Sequence, residues 1–185
     1  MSLSYGHIGD LGDALVSLAS VQALGGGIYY AIDKQNCRPF TDRMPMLSRL
    51  FKAQDYIEDF LPYEGQKIDH DFSTFRNAGH PYGVQLARLH ANWVGANPDL
   101  NASWLSAPPA SHTTRSIVVS RTGRYRNPYF PWKELVNAFG KHMLFIGLTE
   151  EYIHFCSEFG YVDRLPVNDL YDVAVAIAGS EMLIA

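Results

Sequence analysis

The chain has 185 residues, 47% of them hydrophobic, and a formal net charge of -4. That apolar content can fill a core and excludes a disordered chain, and the acidic balance excludes a general nucleic-acid binder, which would be basic. The length leaves room for one domain to one and a half.

Two cysteines, Cys37 and Cys156, stand far apart, with no Cys-x-x-Cys pair and no Cys/His cluster. This pattern argues against a structural zinc and points to a reduced, cytoplasmic setting. No apolar run approaches the ~18 residues of a membrane span. The N-terminus lacks the basic start and long apolar run of a signal peptide.

The first expected element is a short strand, Leu3 to Tyr5. It runs into Gly6-His7-Ile8-Gly9-Asp10-Leu11-Gly12-Asp13. A helix is predicted over 10–24, with Leu11, Ala14, Leu15, Leu18 and Val21 on one face. Gly25-Gly26-Gly27 ends it. Ile28 to Ile32 reads as a strand. Leu47 to Ala53 reads as a helix announced by Pro45, and Tyr56 to Leu61 and Lys67 to Phe72 as weaker strands. A helix is expected over 82–94. Residues 95–114, rich in Pro, Asn, Ser and Ala, have the composition of a linker.

The alternation then restarts. Ile117 to Ser120 is a strand, and Pro131 opens a helix that Gly140 closes. Met143 to Ile146 is a strand, 150–159 a helix ended by Gly160, and 169–178 a helix ended by Gly179. Met182 to Ala185 begins a further, buried strand, so the second domain is expected to be incomplete and to continue past residue 185. The fold class expected is therefore α/β: two Rossmann-like domains with parallel sheets, at 1–107 and 108–185.

Strand, glycine-rich turn and helix in that order bring backbone N–H groups and a helix N-terminus to a ligand. Asp10 and Asp13 would repel phosphate, so the first turn reads as a place that holds a carboxylate near a group that loses a proton. Asp13 is the candidate general base. The structural alternative is a capping box, with Asp10 as N-cap and Asp13 at the third helical position.

A second constellation is basic. Arg115, Arg121, Arg124, Arg126 and Lys133 are five of the 15 basic residues, fall within 19 positions, and are interrupted by no acid. Ser120, Arg121 and Thr122 would sit at a strand's carboxyl end, where ligands bind in such sheets. Guanidinium forks and hydroxyls there suit a diphosphate; a solvated basic loop is the alternative. Glu150, with Thr149 and Glu151, could accept from ribose hydroxyls or simply open a helix, with Thr149 as its N-cap. His70-Asp71, Arg76 and His80 follow a weak strand and could bind an acceptor; scattered loop polarity explains them equally. Trp93, Trp104 and Trp132 read as packing residues.

The segment Gly9-Asp10-Leu11-Gly12-Asp13-Ala14-Leu15, running on to Leu24, resembles the opening loop and first helix of the heptosyltransferase-like glycosyltransferases (glycosyltransferase family 9). Ser120 to Leu135, with Pro131-Trp132-Lys133-Glu134, resembles the first strand-to-helix passage of that family's donor domain. Phe145-Ile146-Gly147 with Glu150, and Leu170 to Ala178, resemble the elements that follow. The resemblance implies a GT-B enzyme with its active site in a cleft between two Rossmann-like domains. It implies an inverting, metal-independent transfer of a sugar from a nucleoside-diphosphate sugar to an acceptor hydroxyl, with no cofactor. Surface glycan or lipopolysaccharide synthesis would be the setting.

By the same resemblance Asp13 is the catalytic base. Ser120, Arg121, Thr122, Arg124, Lys133 and Glu150 face the donor. Gly9, Asp10, Gly12, His70 and Arg76 lie on the acceptor side. The acceptor would be a glycan, a lipid-linked molecule or a small molecule. No nucleic-acid partner is implied, and no transmembrane segment, although peripheral membrane contact is compatible with a lipid-linked acceptor. The family's Asp-Ser/Thr-Gly donor loop would begin beyond Ala185, so the resemblance implies that this chain binds a donor only in part and leaves its activity as it stands open. A nucleotide-sugar epimerase of the same fold and a non-catalytic nucleotide-sugar-binding module remain as alternatives. A nicotinamide oxidoreductase fits less well, because Gly6, Gly9 and Gly12 do not form a GxGxxG turn.

Overall fold

The structure, a computed structural model, describes residues 2–33, 39–78, 83–110, 116–122 and 127–185. It divides into two units, Met1–Ser106 and Ala107–Ala185.

The first unit contains β1 (Leu3–His7), α1 (Leu11–Ala23), β2 (Gly27–Ala31), α2 (Met44–Lys52), β3 (Ile57–Pro62), β4 (His70–Asp71) and α3 (Leu86–Val94). A 3-10 turn, Thr41–Arg43, leads into α2, and another, Phe75–Ala78, follows β4. The sheet order is β3-β2-β1-β4, with every pair parallel.

α1 ends where the sequence places its stop. Gly25, Gly26 and Gly27 all have positive φ, and at the last two no side chain fits. A Cβ at Gly26 would lie 2.1 Å from the Tyr56 carbonyl oxygen, and one at Gly27 2.1 Å from that of Leu3. This close approach sets β2 beside both neighbours. Tyr29 and Phe60 on facing strands meet Phe51 of α2 in an aromatic cluster. The Tyr29 hydroxyl bonds Ser17 Oγ at 2.8 Å, and Ser17 in turn donates to the Ala14 carbonyl.

The second unit contains β5 (Ile117–Val119), α4 (Trp132–Phe139), β6 (Met143–Phe145), α5 (Thr149–Phe159), β7 (Asp163–Arg164), α6 (Leu170–Ala178) and β8 (Met182–Ile184). Its sheet order is β7-β6-β5-β8, again all parallel. Alternate residues of β5 face opposite layers, as strand geometry requires. Val119 packs with Trp132, Val136 and Phe155, beneath α4 and α5. Val118 packs with Ile146 and Ala176, beneath α6.

Several expectations change. The second unit has four strands rather than three, because the two-residue β7 carries no apolar alternation. β8 is not buried: it lies at the sheet edge, with Met182 54% and Leu183 44% exposed. β4 covers only two of the six residues read as strand, and it includes His70 and Asp71 instead of preceding them. Pro131 occupies the N-cap position of α4, not its first turn. α5 begins at Thr149, with Leu148 at its N-cap position. The Glu151 carboxylate accepts the Leu148 N–H, so Thr149 is not the cap.

Candidate functional site

In an open parallel sheet, ligands gather at the carboxyl ends of the strands where the strand order reverses. In the first unit that point is the gap between β1 and β4, since the chain runs from β1 outward to β3 and returns on the other side at β4. Asp13 sits there, in the first turn of α1 just beyond the end of β1.

Neither acid of the loop caps the helix. Asp10 holds the N-cap position without a side-chain cap bond, and its carboxylate reaches Arg43 Nη1 at 2.8 Å. The Asp13 carboxylate receives Arg76 Nη2 on both oxygens, at 3.0 and 2.8 Å. The Asp13 side chain is 13% exposed and that of Arg76 55%, so the carboxylate is recessed and the guanidinium forms its outer wall. Arg76 also lies over the Phe75 ring, 4.8 Å from its centroid. The capping-box alternative is therefore not realised. Instead, each carboxylate of the loop is matched by an arginine from a distant segment, as charge-assisted pairs.

Behind Asp13 lie two fully buried histidines, which the sequence reading did not single out. His7 ends β1 and is 1% exposed; His90, on α3, is 0% exposed. Their Nε2 atoms are 3.2 Å apart. The Gly9 amide N–H donates to His7 Nδ1 at 2.6 Å, and His90 Nδ1 lies 2.9 Å from the Leu86 carbonyl. Phe75 stacks on His90 with centroids 3.8 Å apart, and Phe72 packs against both rings.

Burial first, then the neighbouring His90 and the Arg76 charge, push the His7 pKa down to about 3. His90 is shifted down as well, chiefly by burial. Both rings are therefore neutral at physiological pH. The charged groups that act on the pair are Arg76 from the turn after β4 and Asp13 from α1.

The remaining acceptor-side residues divide. Gly9 gives its amide to His7, and a Cβ there would lie 2.2 Å from His7 Cε1. A Cβ at Gly12 would meet nothing within 4 Å. His70 stacks on Tyr5, with centroids 5.5 Å apart. The Asp71 carboxylate accepts the Ser73 N–H, while its carbonyl accepts the Trp93 Nε1–H, which ties β4 to α3. His80 lies outside the described residues.

In the second unit the equivalent reversal lies between β5 and β8. Ser120 follows β5 and its N–H bonds the Ile184 carbonyl. Thr122 is exposed, as are Lys133 in the first turn of α4 and Glu150 in the first turn of α5. Arg121 turns to α5: its Nη1 pairs with Glu158 at 3.2 Å and its guanidinium covers Phe159 at 4.7 Å. Its side chain is only 10% exposed. Arg115, Arg124 and Arg126 lie outside the described residues.

Arg164, which the sequence reading missed, comes to the end of β6 instead. Its Nη2 donates to the Gly147 carbonyl at 3.1 Å, beside the start of α5. Its only sequence signal is a single cation next to Asp163, which no motif distinguishes. Among the described residues, no group of three or more His, Cys, Asp or Glu is placed to hold a metal ion, and no helix is long and apolar enough to cross a membrane.

Two parallel-sheet α/β units, each with the Rossmann-like order, define the GT-B class of fold. Within that class, the chain is similar to the solved structure of E. coli heptosyltransferase WaaC with ADP-2-deoxy-2-fluoro heptose. The match has a TM-score of 0.58 and covers 99% of this chain and 82% of that one. At 14% identity it establishes a heptosyltransferase-like glycosyltransferase fold. No family model matches the sequence, and no curated protein does.

Proposed function

We propose that the protein is an inverting glycosyltransferase that uses a nucleoside-diphosphate sugar. The observation that carries the reading is the recessed Asp13 carboxylate at the strand-order reversal of the first unit, held by Arg76 on both oxygens. A carboxylate fixed in this way keeps unused lone pairs on each oxygen and can accept a hydrogen bond from a hydroxyl. The fold likeness adds that a protein of this architecture binds an ADP-sugar analogue, which makes ADP-sugars the first donors to test.

In the proposed reaction the acceptor hydroxyl gives its proton to Asp13 as its oxygen bonds the anomeric carbon. The bond from that carbon to the diphosphate oxygen breaks, the leaving nucleoside diphosphate takes the electron pair, and the anomeric centre inverts. Ser120, Thr122 and Lys133 lie on the donor side and stabilise the growing diphosphate charge, with Glu150 toward the ribose. This is electrostatic stabilisation of developing charge, and no step calls for a metal. Arg121, already paired to Glu158, contributes less than its place in the sequence implies. A cytoplasmic location and a role in surface glycan synthesis belong to the same proposal.

The test is Asp13→Asn. It should abolish sugar transfer while leaving nucleotide binding and the melting temperature nearly unchanged. Undiminished transfer would reduce Asp13 to a partner of Arg76.

A further inference from the structure

The two buried histidines take no part in that reaction, yet His7 is bonded to the loop that carries Asp13, and His90 is bonded to His7. Burying an imidazole is costly unless its nitrogens find partners, and here all four ring nitrogens have them. The geometry also fixes every proton. A backbone N–H can only donate, so His7 Nδ1 is the acceptor for Gly9 and the proton of neutral His7 resides on Nε2. That proton points at His90 Nε2, which must accept it. The proton of His90 is then on Nδ1, where the Leu86 carbonyl receives it. Direction thus runs one way, from the Gly9 amide through both rings to α3.

We propose that His90 is a positioning residue for the Asp13 loop: by accepting the His7 Nε2 proton it locks the tautomer of His7 that receives the Gly9 amide. Gly9 lies four residues before Asp13, and its position leaves no room for a side chain, since a Cβ would meet the His7 ring at 2.2 Å. The ring and the loop are fitted to each other. The relay stands on its own geometry; its importance for catalysis rests on the transfer reading.

The relay is read by two-bond 15N–1H correlation of the imidazole rings and by exchange of the Gly9 amide. In the wild type, His7 should carry its proton on Nε2 and His90 on Nδ1. His90→Phe keeps the stacking on Phe75 but removes the acceptor, and should raise Gly9 exchange about tenfold, the loss of one buried hydrogen bond. Amides of β2 should be unaffected. His90→Gln, which offers an oxygen to the His7 proton, should restore most of the protection. Should His90→Phe fold poorly, the ring correlations of the wild type alone decide the relay, since they read directly which nitrogen of His7 and of His90 carries the proton.

A His7 proton on Nδ1, or Gly9 exchange unchanged in His90→Phe, overturns the proposal. In a transfer assay, His90→Phe should lower kcat with little change in the acceptor KM, and His90→Gln should recover part of it. Absence of any transfer by the wild type would bear on the functional reading alone and leave the spectroscopic result to decide the relay.

Discussion

Acid should destabilise this protein through His7, by an amount that can be worked out. In the unfolded chain His7 has the ordinary histidine value near 6.5; in the fold, burial and its neighbours bring it to about 3. Above pH 6.5 both states are neutral at this site and the stabilisation is complete. As pH falls from 6.5 toward 3, the unfolded chain takes up a proton that the folded one refuses, so stability is lost. The loss is about 1.4 kcal/mol per pH unit. Between pH 6.5 and 4.5 it reaches on the order of 2–3 kcal/mol, a large share of the roughly 5–15 kcal/mol of a typical domain. His90 shifts in the same direction and adds to it. Because His7 is 1% exposed, solvent screening reduces this little. The assay is urea unfolding at pH 7 and pH 4.5 for the wild type and His7→Asn. Carboxylates common to both chains cancel, so the wild type should lose about 2–3 kcal/mol more than the variant. Equal losses in the two chains would refute the reasoning.

Glycine substitutions separate packing from ligand approach. Gly9→Ala should destabilise by about 1–3 kcal/mol in thermal or urea unfolding, because its Cβ meets the His7 ring. Gly12→Ala should leave stability equal or raise it by up to about 1 kcal/mol, since it sits in α1 with open space around it; lost transfer with a raised melting temperature would mark close approach of the acceptor. Arg76→Lys should weaken transfer more than folding, because an ammonium keeps the charge beside Asp13 but loses the planar guanidinium that lies over the Phe75 ring and fixes its place; parallel measurement of kcat/KM and the melting temperature checks it. Phe145→Ala, in the core of the second unit, should cost about 3–5 kcal/mol by urea unfolding.

The α/β alternation was legible because its signals are local. α1 has an apolar face and a glycine stop, and Val118 and Val119 form a continuous apolar run suited to a parallel strand covered on both faces. β7 was not legible, since Asp163 and Arg164 are strand only by pairing with β6. The candidate site divides the same way. Asp13 stands in a motif, but its partner Arg76 lies 63 residues away and reaches it only because β4 returns beside β1. The His7–His90 contact spans 83 residues for the same reason. The basic window 115–133 read as one cluster because like charges lay close in sequence. Burial against Phe159 and pairing with Glu158 remove Arg121 from it, and neither neighbour was visible without the packing of α5.

The most direct test of the account is a calorimetric binding panel on the full 185-residue chain with ADP, UDP, GDP and CDP, a sugar conjugate of each, and NAD. The account predicts that one nucleoside diphosphate and its sugar conjugate bind, with NAD silent. Binding of NAD, with no response to any nucleoside-diphosphate sugar, would contradict it.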